Sequence, residues 1–89
     1  MLSASYSKQF DRDIKRLRKR GKDLAKLKPV LDDIISERML HERYRDHKLQ
    51  GPFAGTRECH IEFDWVLIYK LQAEEVIFQR TGTHSDLFE

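Results

Sequence analysis

The spacing of apolar residues changes character partway along the chain. Early on, apolar positions recur every three or four residues. Phe10, Ile14 and Leu17 line one face of a helix whose other positions are largely Arg and Lys. Ser7 is placed to cap its N-terminus and Gly21 to stop it. Leu24, Leu27, Leu31, Ile34 and Ile35 mark a second helical face over about Asp23–Met39. Pro29 interrupts that pattern. Because proline is tolerated in a first turn, the regular helix is expected to begin near Lys28. Before both helices, "LSASY" at residues 2–6 alternates weakly and suggests a short first strand.

From Thr56 the pattern becomes that of strands. "TRECHIEFDWVLIYKLQAEEVIFQRTG" is rich in β-branched and aromatic residues and predicts three of them, Thr56–Glu62, Trp65–Leu71 and Val76–Thr81. Turns at Phe63–Asp64 and Gln72–Glu75 would join them as an antiparallel meander. Val66–Tyr69 is apolar on both faces, as a central strand is. Residues 40–55 show no period, and Gly51, Pro52 and Gly55 mark loops. Neither helix is stable alone, so their apolar stripes must pack on the sheet. The fold class is therefore α+β, a strand and two helices followed by a three-stranded meander, in a single domain spanning residues 1–89.

Composition narrows the setting. Charged residues make up 36% of the chain, and no run approaches the roughly 20 apolar residues of a membrane helix. "MLSASYSKQF" lacks the basic start and apolar stretch of a secretory signal. The lone Cys59 has no internal disulfide partner and reads as a small buried hydrophobe, so the expected location is a reducing cytoplasm. Charge is unevenly spread. Residues 1–28 carry ten Lys/Arg against three Asp/Glu, and the remainder carries seven against twelve. A basic face able to meet phosphate is one consequence, and a solvated helix surface is the plainer one.

Glycine-rich phosphate loops, paired cysteines and HExxH spacing are missing. What remains is a set of histidines. His60 lies toward the end of the first meander strand and His84 just past the third, and these two strands run the same way. Both would converge at one sheet edge with Asp64 from the hairpin turn, and the connection carrying His47 is long enough to reach it. Such a set meets the needs of metal-independent RNA cleavage. Imidazoles would move protons from the 2′-hydroxyl and to the departing 5′-oxygen, while Arg57 or Arg80 stabilises the phosphorane. Spacing alone does not separate this from ordinary surface histidines. As zinc ligands, the three histidines match no compact signature. His41 reads as a surface residue, and Tyr69 and Phe78 as core.

Four motifs occur in order: "DHKLQG", "RECH", "DWVLIY" and "RTGTHSDLF". Together with the basic N-terminal half, the set resembles the YafQ branch of the RelE/ParE toxin superfamily over essentially the whole chain. The resemblance implies a RelE-like fold, two helices on a twisted antiparallel sheet, and ribosome-dependent cleavage of mRNA in the decoding site. It implies no cofactor or metal. The implied partners are the ribosome, mRNA and a cognate antitoxin, expected to be a ribbon-helix-helix protein, with operator DNA reached only through the antitoxin complex.

The family's site positions fall on His47, His60, Asp64 and His84 as catalytic groups, with Trp65 and Phe88 as nucleotide contacts. The helix carrying Lys15, Arg16, Lys19, Arg20 and Lys22 is the expected contact for ribosomal RNA. The chain departs from many relatives at Phe63, where they have Pro, and at Pro29. ParE-like inhibition of DNA gyrase, on a shared fold that generally lacks the histidines, is the alternative function, and a non-catalytic RNA-binding module is another.

Overall fold

The computed structural model describes residues 1–88. The chain runs β1 (Ser3–Tyr6), α1 (Lys8–Lys19), α2 (Lys28–Ile35), β2 (His47–Lys48), β3 (Arg57–Glu62), β4 (Trp65–Gln72), β5 (Glu75–Gly82) and α3 (His84–Phe88), with three short 3-10 turns between. The strands form one sheet in the order β1-β5-β4-β3-β2. The expected meander is its centre, with strand ends within a residue or so of the sequence reading. β1 adds to β5 in parallel, Ser3 opposite Glu75 and Tyr6 opposite Phe78.

Ser7 caps α1, its hydroxyl accepting the Phe10 N–H at 2.9 Å. The second helix starts at Lys28 with Pro29 in its first turn, as its sequence predicts, after a 3-10 turn at Leu24–Lys26. It stops at Ile35 rather than near Met39. Glu37 turns the backbone to φ 61°, and Met39 lies 96% exposed beyond the apolar stripe.

The larger core joins Phe10, Leu17, Leu27, Val30 and Ile34 from the helical half to Trp65, Leu67, Tyr69, Val76 and Phe78 from the sheet. A smaller cluster of Val66, Ile68 and Leu87, with Leu49 and Phe53 against it, covers the opposite side of β4. This explains why Val66–Tyr69 is apolar on both faces: helices cover one, and α3 with the 49–53 segment covers the other. Cys59 is fully buried, and burial pushes its thiol pKa far above the ordinary range. No helix among the described residues is long and apolar enough to cross a membrane.

Candidate active site

The register of β3 lays out the site. His47 on β2 sits opposite Glu58, Glu58 opposite Ile68 on β4, and His60 opposite Val66. Side chains alternate along a strand. Cys59 and Ile61 therefore enter the main core, while Glu58 and His60 share the other face. The sequence left residues 40–55 as loops, but His47 belongs to a two-residue edge strand, too short to show a period.

The imidazoles form a row. The His47 and His60 rings are 6.3 Å apart and the His60 and His84 rings 5.7 Å. Asp64, in the β3–β4 turn, holds the end of the row. One of its oxygens accepts the His84 backbone N–H at 3.0 Å and meets His84 Nδ1 at 2.8 Å. These two bonds, the backbone one first, lower the Asp64 pKa. His84 Nε2 faces Glu58 at 3.7 Å, and His60 Nε2 lies 3.1 Å from the same carboxylate oxygen. Asp64 thus meets His84 Nδ1 at hydrogen-bond distance, while Glu58, beyond that distance from Nε2, adds a second negative charge beside the ring. Glu58 is 6% exposed and links two imidazoles. Sequence reading missed it. Its signal was alternation, which puts residue 58 on the same face as residue 60.

His47 is held differently. Its Nδ1 lies 2.6 Å from the Arg45 carbonyl, which can only accept. Nδ1 therefore carries a hydrogen, and in the neutral ring this tautomer leaves the lone pair at Nε2. Phe88 lies 5.9 Å from the His84 ring and edge-on to Phe53 at 5.1 Å.

The short α3 is secured by contacts distant in sequence. Thr83 and Asp86 exchange bonds reciprocally: the Asp86 carboxylate accepts the Thr83 N–H at 3.0 Å, and the Thr83 hydroxyl accepts the Asp86 N–H at 3.1 Å. Arg20, at the end of α1, then clamps Asp86. Gly82 is required by this packing, because a Cβ there would meet Asp86 Oδ2 at 2.9 Å.

A model of the bacterial toxin YafQ of type II toxin–antitoxin systems matches residues 2–89. The chain belongs to the YafQ family. It is 46% identical over 84 residues to the mRNA interferase toxin YafQ of Escherichia coli K12, covering 93% of this chain and 91% of that one. The toxin in a solved E. coli DinJ–YafQ complex superposes with a TM-score of 0.93 at 43% identity, over 100% of both chains. A metal-bound toxin from Helicobacter pylori gives 0.92 at 39% identity, over 99% of this chain and 100% of that one. The RelE-like α+β reading of the fold is thereby confirmed.

Glu58, His60 and His84 bring one ligand atom each to within 4.8 Å of one another. A carboxylate and two imidazoles suit a divalent transition ion, which would supply a Lewis-acid centre there.

Other expected YafQ site residues sit as follows. Trp65 is fully buried, its indole N–H donating to Thr81 at 2.9 Å. No base can stack on it, so its expected role as a nucleotide contact is corrected to one in the core. Arg57 forms a two-point contact with Asp46, at 3.0 and 3.3 Å. Arg80 does the same with the fully buried Asp13, at 2.8 and 3.2 Å. On the basic helix, Arg16 and Arg20 approach Asp86 at 3.6 and 2.7 Å. Lys22 pairs with Glu62 at 2.8 Å. Lys15 and Lys19 are exposed and have no ion-pair partner among the described residues.

Proposed function

We propose that this toxin cuts mRNA in the decoding site of the ribosome by metal-independent acid–base chemistry. That it is an endoribonuclease, an mRNA interferase, follows from its family. The observation that carries the mechanism is the His84 ring between two carboxylates, Asp64 at 2.8 Å and Glu58 at 3.7 Å. Asp64 orients His84, which acts as general acid and delivers a proton to the departing 5′-oxygen. His47, with its Nε2 lone pair, is the general base that takes the 2′-hydroxyl proton. The 2′-oxygen bonds to phosphorus as the bond to the 5′-oxygen breaks, leaving a 2′,3′-cyclic phosphate and a 5′-hydroxyl. His60 is held by Glu58 between the two. Phe88 packs on the substrate, and Arg80 stabilises charge on the phosphorane through the guanidinium nitrogen that Asp13 leaves free. Arg57, on the Cys59 face of β3 and held by Asp46, takes no part.

The ribosome supplies the RNA in position, and basic residues of α1 hold it through phosphate. A cognate antitoxin, encoded beside the toxin, silences it by covering this basic surface with an acidic segment that orders on contact. Primer extension on mRNA from cells arrested by the unpartnered toxin should show discrete cuts within codons. Arrest with intact mRNA and double-strand DNA breaks would move the target to gyrase.

A further inference from the structure

Beside the histidine row lies a cavity of about 570 Å³, within the roughly 300–1,000 Å³ typical of small-molecule sites. Its wall includes Lys26, Arg43, Tyr44, Arg45 and Phe63, and His60 is the only histidine of the row that reaches it. We propose that this cavity is a subsite for one unstacked ribonucleotide flanking the scissile bond. Phe63 and Tyr44 provide aromatic faces for its base, and Arg43 and Arg45 bind its phosphate. The inference rests on the reading that this centre cleaves RNA.

Three observations carry it. Phe63 is 91% exposed in the β3–β4 turn, next to Asp64, where none of the described residues covers its ring. An aromatic in that setting has a face available for a base, and base–aromatic stacking is the main sequence-tolerant way proteins hold single strands.

The second observation is charge. Arg16, Arg20, Arg57 and Arg80 are all engaged by carboxylates, and Lys22 and Lys26 share Glu62. Arg43 and Arg45 have no carboxylate partner among the described residues. The Arg43 guanidinium lies 4.9 Å from the Tyr44 ring centre and donates to its hydroxyl at 2.9 Å, so cation and aromatic are assembled in advance. Because Lys22 and Lys26 neutralise Glu62, the cavity is left with net positive charge.

The third is mechanical. Arg45 adopts φ 52°, a left-handed conformation uncommon for a non-glycine residue. That conformation belongs to the same residue whose carbonyl accepts the His47 Nδ1–H. One residue thus holds the base of the proposed reaction with its backbone and lines the subsite with its side chain.

Cleavage of defined mRNAs on programmed ribosomes tests the proposal, with all four bases varied at each nucleotide flanking the cut. Phe63→Ala and Arg43→Ala should each lower kcat/KM by about tenfold, chiefly through KM, and flatten the preference at one flanking nucleotide. Phe63→Trp should retain both. His84→Ala, in contrast, should abolish kcat for every sequence. A complementary titration follows backbone amides of the His84→Ala protein with a trinucleotide blocked by 2′-O-methylation, and should shift Tyr44 and Phe63. The subsite is wrong, with the catalytic reading intact, if wild type cleaves and His84→Ala does not while Phe63→Ala and Arg43→Ala match wild type. It is also wrong if these two variants lose only antitoxin affinity, since the occupant is then protein. If the wild-type toxin leaves programmed mRNA uncut, the catalytic reading falls and the subsite with it.

Discussion

The Arg20 guanidinium donates two hydrogen bonds to the Asp86 carboxylate, at 2.7 and 2.9 Å, joining the end of α1 to the helix that begins with His84. A five-residue helix has too few internal bonds to persist alone. The pair therefore acts as a latch, with the Thr83–Asp86 exchange as its second tie. The hydrogen bonds from Arg20 hold the Asp86 carboxyl far below the usual carboxylate range. A depressed folded-state pKa contributes stability above the unfolded value of about 3.9 that is lost only as pH falls through the folded value. The latch is therefore charged and closed at every physiological pH.

Asp86→Ala removes the Arg20 pair and the carboxylate's half of the Thr83–Asp86 exchange, leaving only the backbone N–H of residue 86 on the Thr83 hydroxyl. Loss of a helix cap typically costs about 1 kcal/mol, which should open the Leu87 amide to hydrogen exchange about fivefold faster or more. The global melting temperature should move little, because α3 adds only Leu87 to the smaller cluster. Cleavage should slow while ribosome affinity stays near wild type. Unchanged exchange and cleavage in Asp86→Ala would show that α3 is held by Leu87 and Phe88 packing alone.

His84→Ala should lower the cleavage rate by roughly 10²–10⁴-fold, the usual loss for one acid–base group, while the exposed ring leaves folding and antitoxin binding nearly intact. Truncation after Thr83 should also stop cleavage, but at a cost in stability, because it strips Leu87 from Val66 and Ile68. Asp64→Asn should give a smaller loss, because an amide oxygen still accepts the His84 N–H but no longer balances a protonated ring. Rapid quench kinetics on ribosomes separates the cases. A His84→Ala toxin that cuts like wild type would shift the chemistry to His47, His60 and Glu58.

The long regular parts of this site were legible in the sequence, and the short ones were not. Strand periodicity placed His60, Asp64 and His84 at one edge, because β3 and β5 run the same way beside β4. The start of α2 followed from Pro29. The edge strand His47–Lys48 and α3 are too short to carry a period, and α3 depends on an arginine 66 residues away. Glu58 looked like any solvent-facing carboxylate of an alternating strand, since its burial depends on α3 folding over that face. The whole-chain charge asymmetry could not show that Arg16, Arg20 and Lys22 have partners of their own. Trp65 was misread because adjacency to Asp64 in sequence does not expose it: its ring turns into the main core.

Glu58 supplies a prediction about metals. Cleavage should proceed undiminished in chelator, and added zinc should suppress it by occupying Glu58, His60 and His84, the last of which is the proposed general acid. Glu58→Gln should weaken zinc suppression and slow cleavage, because His60 and His84 lose their shared negative partner. Titrating zinc against cleavage by wild type and Glu58→Gln measures both effects. Chelation that stops cleavage, with zinc restoring it, would make these residues ligands of a required ion and end the acid–base proposal.

Ribosome binding can be tested without disturbing the latch. The sequence alone pointed to Lys15, Arg16, Lys19, Arg20 and Lys22 together. Reversing Arg16 and Arg20 would, however, release Asp86 and confuse binding with catalysis. Lys8, Arg12, Lys15 and Lys19 recur every three or four residues along the exposed side of α1, and none has an ion-pair partner among the described residues. That stripe is the better candidate for holding phosphate. Lys15→Gln with Lys19→Gln should weaken ribosome affinity and flatten its log–log salt dependence by roughly 1.4 to 1.8, as expected for the loss of two phosphate contacts. The rate constant on saturated ribosomes should stay at the wild-type value, since neither lysine touches Asp86, Asp64 or the histidines. If affinity and salt slope match wild type, the stripe is a solvated helix face and the toxin meets the ribosome elsewhere. If the saturated rate falls instead, α1 positions α3 through more than Arg16 and Arg20.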